Sequence, residues 1–116
     1  MKGSLTTHVL DLSGGVPAAG IKVRLWRLAG DDGDGRRELV AEAETNADGR
    51  PERPLARDGA LERGLYELVF DVGAYFGDSE AIFEKVPVRF RVADPKSHYH
   101  IPLLVAPGGY STYRGS

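Results

Sequence analysis

The chain has 116 residues, of which 41% are hydrophobic and 28% charged, and this predicts one compact domain over residues 1–116. Its net charge of -2 comes from basic residues interspersed with acidic ones, so neither nucleic acid nor a membrane surface is an expected partner. The absence of cysteine excludes disulfides, a thiolate nucleophile and cysteine-ligated zinc.

The dominant hydrophobic period is two residues, which indicates half-buried strands. In the stretch I-K-V-R-L-W-R-L, the apolar residues Ile21, Val23 and Leu25 alternate with charged or aromatic ones. Further strands rich in β-branched and aromatic residues are predicted at 5–12, 38–45, 64–72, 86–92, 98–105 and from 110 onward. Seven or so short strands at this spacing predict an all-β fold, a β-sandwich.

Clusters of turn-forming residues separate these strands. In chain order they are S-G-G-V-P-A-A-G, G-D-D-G-D-G, N-A-D-G, A-D-P-K and P-G-G. Residues 31–37 are predicted to form a mobile hairpin tip. The stretch D-V-G-A-Y-F-G-D-S-E departs from the strand pattern, and it predicts either a short helix or a turn after Val72.

Three histidines are candidates for chemistry. His98 and His100 form an H-Y-H sequence, so on a strand they point to the same face, about 6.6 Å apart. A lone histidine is more often an ordinary surface or half-buried side chain. Together with His8, however, the pair favours a shared site, either a zinc site or a metal-free one in which imidazole acts on water.

Arg50, which follows the turn in T-N-A-D-G-R, is a candidate binding residue. An arginine on a loop is most often a solvated cation. Its guanidinium group can also hold a planar amide, a urea group or an oxyanion through two parallel hydrogen bonds. The same alternatives apply to Arg114, and Tyr113 would ordinarily pack as an aromatic side chain.

The sequence contains no G-x-S-x-G nucleophile turn, no phosphate-cradling glycine loop and no H-E-x-x-H zinc-binding motif. If the chain is an enzyme, its machinery is histidine acting on water beside arginine and a hydroxyl group. That combination predicts hydrolysis without a covalent intermediate.

Four segments resemble the 5-hydroxyisourate hydrolase family, the transthyretin-related enzymes of urate breakdown. They are L-T-T-H-V-L-D, T-N-A-D-G-R, H-Y-H-I-P-L-L and the final Y-S-T-Y-R-G-S. The Y-R-G-S sequence is the most specific, because hormone-carrying transthyretin lacks it and has lysine where this chain has His8. The chain departs from the family pattern at Phe83-Glu84, where Phe-Pro is usual. This difference affects the expected geometry of the strand there and not the expected chemistry.

The resemblance implies a transthyretin-like sandwich of two sheets with one short helix, assembled as a homotetramer with sites at a dimer–dimer interface. It implies hydrolysis of 5-hydroxyisourate to 2-oxo-4-hydroxy-4-carboxy-5-ureidoimidazoline without cofactor or metal. The implied catalytic residues are His8, Arg50 and His100. The implied substrate-binding residues are His98, Tyr113, Arg114, Gly115 and Ser116.

Two other functions are compatible with a β-sandwich. One is a transthyretin-like carrier that binds a small apolar aromatic ligand without turnover. The other is an adhesive or carbohydrate-binding domain, against which the single Trp counts. The first residues lack the roughly 7–15-residue apolar stretch of a secretion signal, and no run approaches the roughly 20 apolar residues of a membrane span. We therefore expect a cytoplasmic protein.

Overall fold

The computed structural model describes residues 3–29, 35–57, 59–77 and 81–116. Within these residues the chain forms ten β-strands and one short α-helix. In order they are β1 (Leu5–Thr6), β2 (Val9–Asp11), β3 (Val16–Pro17), β4 (Lys22–Leu28), β5 (Arg37–Glu44), β6 (Gly64–Asp71), α1 (Val72–Phe76), β7 (Lys85–Val92), β8 (Tyr99–His100), β9 (Leu103–Ala106) and β10 (Gly109–Thr112). The prediction of an all-β fold is confirmed.

Two four-stranded sheets form the sandwich. One has the strand order β10-β9-β2-β3 and the other has the order β5-β4-β6-β7. In β2, β9 and most of β4, alternate residues are buried in the space between the sheets, as the period of two predicts. The fully buried side chains of this core include Leu5, Val9, Val23, Leu25, Tyr66, Leu68, Phe70, Val86 and Leu103. The predicted sandwich of two sheets is confirmed.

A short parallel pair, β1 with β8, extends the first sheet beyond β2 and β9. The backbone hydrogen bonds are continuous: the N–H groups of Tyr99, Ile101 and Leu103 donate to the carbonyls of Ser4, Thr6 and His8 at 2.8, 3.0 and 2.9 Å. We call residues 4–11 with 98–105 the parallel ladder. Each of the two strands predicted here is therefore present as two pieces.

The interruption has a cause in the sequence. The N–H groups of Ile101 and Leu103, on either side of Pro102, both donate to the first strand of the ladder, so the missing N–H of Pro102 belongs to the opposite edge of its own strand. The Ile101 carbonyl accepts the buried hydroxyl of Thr7 at 2.6 Å, where a regular ladder would place a backbone N–H. The strand assignment therefore breaks between β8 and β9, although the chains stay side by side.

The sequence did not predict β3. It lies within the turn cluster S-G-G-V-P-A-A-G, and it pairs with β2 through Leu10↔Pro17 and Asp11↔Val16. A two-residue strand is too short to produce a periodic signal. The predicted hairpin tip at 31–37 falls largely outside the described residues, and Arg37 already belongs to β5. After Val72 the structure has a helix, and the carbonyl of Glu84 accepts the Gly73 N–H at 2.9 Å.

Candidate active site

The parallel ladder carries the histidines on its outward face. Successive side chains along each strand of the ladder point to opposite faces of the sheet, so the odd-numbered residues of segment 4–11 point into the core. The buried members are Leu5, Thr7 and Val9, and the partly exposed ones are Ser4, Thr6 and His8. On the neighbouring strand Tyr99 is buried, His100 is partly exposed and His98 is exposed. The outward face therefore brings hydroxyl and imidazole groups together.

Thr6 lies directly opposite His100 in the register. Its Oγ1 is 2.8 Å from His100 Nδ1 and 3.4 Å from His98 Nε2. The other ring nitrogen of His98, Nδ1, lies 2.7 Å from the hydroxyl oxygen of Ser4. The prediction that His98 and His100 share a face is confirmed, and one threonine hydroxyl contacts both rings.

His8 is held by the turn that precedes Arg50. Its Nε2 lies 2.8 Å from the carbonyl oxygen of Asp48. A carbonyl only accepts, so Nε2 carries the proton in this contact. In the neutral ring the lone pair is therefore on Nδ1, which is the nitrogen that His8 offers to a ligand.

The N-A-D-G turn is built around Asn46 and Gly49. The Asn46 side-chain oxygen accepts the N–H groups of Asp48 and Arg50 at 2.9 and 3.2 Å, which is a common role of Asn in turns. Gly49 has φ +78°, and a Cβ there would lie 2.4 Å from the carbonyl oxygen of Val9. Only glycine fits both the conformation and the approach to β2.

Arg50 extends from this turn toward the outward face of the ladder. With Thr6, Thr7 and residues 51–54 it lines a cleft of about 140 Å³. Partial burial is the first cause that lowers the pKa of His100 below its usual 6.5, and the positive charge of Arg50 is the second. The charges of His98 and His8 lower this pKa further, and a backbone hydrogen bond of Thr6 opposes them. His100 is therefore held neutral to lower pH than an ordinary histidine.

The last four residues run beside the second strand of the ladder. The Gly115 N–H donates to the His100 carbonyl at 2.7 Å. The guanidinium of Arg114 donates to the His98 carbonyl at 3.2 Å, and its Cζ lies 4.5 Å from the centre of the Tyr99 ring. These contacts place the terminal segment against the histidines, while the side chain of Tyr113 remains 58% exposed.

The predicted residues thus fall into two groups. His8, Arg50, His98, His100, Arg114 and Gly115 lie together around the ladder. Tyr113 and Ser116 are exposed beside them. Within the described parts of the chain, no three histidine or carboxylate side chains lie close enough to share a metal ion. Among the described residues, three larger depressions of about 540, 680 and 270 Å³ are not lined by histidine, and the first shares residues 51–54 with the cleft beside Arg50.

Sequence reasoning missed Thr6, Asn46 and Asp48. Thr6 and Asp48 contact the histidines directly, and Asn46 shapes the turn. The motifs L-T-T-H and T-N-A-D-G-R contain all three residues. The contacts themselves depend on how segment 4–11 pairs with segment 98–105, and the motifs do not predict that pairing.

A sandwich of two open four-stranded sheets, with a histidine and arginine cluster on the outer face of one sheet, defines a transthyretin-like protein. Residues 5–115 match the profile of the HIUase/Transthyretin family, and the chain belongs to this family. It is 52% identical over 122 residues to the 5-hydroxyisourate hydrolase of Halalkalibacterium halodurans, a match that covers 100% of both chains.

Solved structures agree with this assignment. The chain is similar to the 5-hydroxyisourate hydrolase of Klebsiella pneumoniae, with a TM-score of 0.81 and 38% identity, over 98% of this chain and 94% of that one. It is also similar to an (S)-allantoin synthase, with a TM-score of 0.88 and 40% identity. That match covers 99% of this chain but only 44% of the synthase, so the chain spans less than half of that protein.

Proposed function

We propose that the chain hydrolyses 5-hydroxyisourate to 2-oxo-4-hydroxy-4-carboxy-5-ureidoimidazoline, by attack of a histidine-activated water on a cyclic amide carbonyl. The observation that carries this proposal is the convergence of His8, Arg50 and His100 beside the terminal segment. The full-length similarity to 5-hydroxyisourate hydrolases supports it.

His100 is the proposed general base. Its Nδ1 is engaged by Thr6, so Nε2 is the nitrogen available to a water molecule. Its lowered pKa keeps the ring neutral, and able to accept a proton, near neutral pH. His8 offers Nδ1, because Nε2–H is used on the Asp48 carbonyl. We assign it the role of holding the same water.

Arg50 is the proposed electrostatic group. The water oxygen adds to C6 of the substrate, and the carbonyl oxygen there becomes negatively charged. A guanidinium can donate two parallel hydrogen bonds to this oxygen or to the neighbouring carbonyl. Groups that stabilise such an oxyanion commonly contribute about 10²–10³ in rate.

Collapse of this adduct completes the reaction. The N1–C6 bond breaks, and N1 takes the proton that His100 removed from water. C6 becomes a carboxylic acid, which releases the second water proton to solvent and gives the carboxylate of the product. The ring nitrogen thereby leaves as the end of a ureido group, and the imidazole returns to its neutral form. Tyr113, Arg114, Gly115 and Ser116 are proposed to position the substrate rings, with no proton transfer assigned to them.

We infer the homotetramer that the resemblance to the family implies, and the open site on the single protomer supports an association that covers it. Tyr113 is 58% exposed, and the outward face of the ladder needs a cover to exclude water.

Among the described residues, no helix has the length and apolar character needed to cross a membrane. The cytoplasmic location remains a prediction.

The decay of freshly generated 5-hydroxyisourate, followed by absorbance with and without protein, tests this function. The compound also decays spontaneously, so rates must be compared. We expect acceleration proportional to protein concentration, and at least about a 100-fold lower turnover in His100→Asn and His8→Asn. Lys22→Gln, on the exposed face of β4, is the matched control and should behave as the parent protein.

Two results would contradict the proposal. A folded, assembled protein that leaves the decay rate unchanged would favour a carrier, which binds an aromatic ligand without turnover. Near-normal turnover in His100→Asn would remove that residue from the role of base.

A further inference from the structure

We propose that Ser4, His98 and Thr6 form a hydrogen-bonded chain that orients the His100 ring and places its ring proton on Nδ1. In this arrangement His98 is a positioning residue that acts through Thr6. The catalytic consequence rests on the proposed function, because it concerns the assigned base, whereas the proton placement is a property of the free protein.

The geometry makes Thr6 the link between the two histidines. Its hydroxyl oxygen is 2.8 Å from His100 Nδ1 and 3.4 Å from His98 Nε2. His98 Nδ1 is 2.7 Å from Ser4 Oγ. Both ring nitrogens of His98 therefore have hydroxyl partners within the same face of the sheet, whereas His100 keeps Nε2 free of them.

A hydroxyl group has one hydrogen and two lone pairs. A chain that passes through Thr6, which accepts from one ring and donates to the other, therefore has two directions. In the first, His100 Nδ1–H donates to Thr6, Thr6 donates to His98 Nε2, and His98 Nδ1–H donates to Ser4. In the second, every donor and acceptor is exchanged. If both rings donated to Thr6 instead, His100 Nε2 would also keep its lone pair, but Thr6 would not donate to His98. Of the two directions that pass through Thr6, only the first leaves a lone pair on His100 Nε2, the nitrogen that faces away from the chain.

The first direction is also unchanged through the catalytic steps. When His100 Nε2 accepts a proton from water, Nδ1–H still donates to Thr6, and the rest of the chain keeps its direction. When Nε2–H is given to the leaving nitrogen, the starting state returns. The second direction would have to reverse before each turnover, because it begins with a proton already on Nε2.

The surroundings of His100 favour the same role for the chain. The groups that face the ring from neighbouring elements are Arg50, His8 and His98, all of which lower its pKa. The terminal segment contributes an uncharged contact, the Gly115 N–H on the His100 carbonyl. Arg114 lies at the His98 carbonyl, so it helps to fix the strand on which both histidines lie. Apart from the backbone of Thr6, which also forms a hydrogen bond with the ring and raises its pKa, none of these groups replaces the hydroxyl at Nδ1.

The register explains why the residues meet. Tyr99, between the two histidines, is buried and its N–H donates to the Ser4 carbonyl at 2.8 Å. This fixes Ser4 beside His98 and Thr6 beside His100. The two histidines of H-Y-H, two residues apart on one strand, therefore lie beside Ser4 and Thr6, which are two residues apart on the other.

The test uses Thr6→Val, which keeps the branched shape and removes the hydroxyl, and Thr6→Ser, which restores it. Nitrogen-15 NMR of the neutral His100 ring in the substrate-free protein reports which nitrogen carries the proton. We expect a predominantly Nδ1–H ring in the parent and in Thr6→Ser, and a shift toward Nε2–H in Thr6→Val. His98→Leu, which removes the next link, should shift the signal in the same direction.

Kinetics provide the second readout. We expect Thr6→Val to lower kcat at least about tenfold with little change in KM, and Thr6→Ser to recover most of it. An unchanged ring tautomer in Thr6→Val would overturn the proposal even if activity fell. An unchanged tautomer in His98→Leu would overturn the part assigned to His98.

The two hypotheses fail separately. If the tautomer shifts as expected but even the parent protein does not accelerate decay of the substrate, the chain is established and the proposed function is wrong. If Thr6→Val does not fold, the comparison of His98→Leu with the parent still decides the outcome, because Ser4 and Thr6 are then both intact.

Discussion

At the scale of single residues, two glycines determine how closely the site can be assembled. Gly49 lets the turn that carries Arg50 pack against β2, as its conformation and the nearby Val9 carbonyl require. Gly115 lets the terminal segment approach the His100 ring. A Cβ on Gly115 would lie 2.6 Å from His100 Cδ2, closer than non-bonded carbon atoms approach.

Gly115→Ala is expected to lower turnover at least about tenfold while changing stability little. The added methyl must displace either the terminal segment or the His100 ring, and a misplacement of about 1 Å can cost roughly 10²-fold. Turnover and thermal unfolding are the measurements. Gly108→Ala is the matched control, because nothing lies within 4 Å of a Cβ there. Equal activity in the two variants would show that the close approach has no functional role.

Among the residues of the site, some could be predicted from the sequence and others could not. Residue types and motifs predicted His8, Arg50 and His100 because imidazole and guanidinium groups carry recognisable chemistry. They did not reveal the contact between Thr6 and His100, because a threonine hydroxyl is not recognisable as a site residue until its neighbours in the fold are known. Its neighbour His100 is 94 positions away along the chain, and only the register of the ladder brings them together.

At the scale of elements, the long strands could be predicted and the short ones could not. β4, β5, β6 and β7 each have 7 or 8 residues, enough for alternation to be visible. β3 is held by pairing with β2 rather than by a pattern of its own. The same holds for the short strands of the ladder, which are held by long-range pairing.

A buried carboxylate joins the helix to the first sheet. Asp11 Oδ1 accepts the Ser13 N–H, the Ser13 hydroxyl and the Gly14 N–H at 2.9, 2.6 and 3.1 Å. Its Oδ2 accepts the Tyr75 hydroxyl of α1 at 2.8 Å. Burial, the first cause, raises the pKa of Asp11, but these hydrogen bonds together bring it below the usual 3.8.

Asp11→Asn is expected to lower the free energy of unfolding by roughly 1–3 kcal/mol at pH 7, because the carboxylate that accepts four hydrogen bonds is replaced by an uncharged amide. A lowered native pKa means that the unfolded state binds more protons. The stabilisation is therefore present above pH 3.8 and is lost as pH falls through the native pKa.

Urea unfolding of the parent and Asp11→Asn between pH 7 and pH 3 measures this difference. The gap between the two proteins should narrow at the acid end. Tyr75→Phe removes one donor only, so it should cost about 1 kcal/mol at pH 7. A gap that stays constant with pH would contradict the assigned role of the carboxylate.

At the scale of the whole molecule, the outer faces of the two sheets differ. The outer face of β5-β4-β6-β7 carries cross-strand ion pairs, among them Arg24 with Glu42 at 2.8 Å and Lys85 with Asp71 at 3.5 Å. The sheet that contains the ladder carries Leu10 and Leu104 on its outer face, where they lie opposite each other and are half-buried in the single protomer. The exposed Leu39 and Val40 of the other sheet lie on its edge strand, β5. Apolar side chains on an outer sheet face favour association.

This asymmetry predicts that assembly uses the sheet that carries the histidines. Leu104→Lys should disrupt it, because a charge would be buried between protomers. The mass measured by light scattering should fall from about four times the 12.6 kDa protomer to a smaller species, and turnover should fall with it. Leu39→Lys, an exposed leucine of β5, is the matched control and should change neither quantity. A Leu104→Lys protein that is smaller yet fully active would mean that each protomer holds a complete site. One that stays assembled would place the interface on another face.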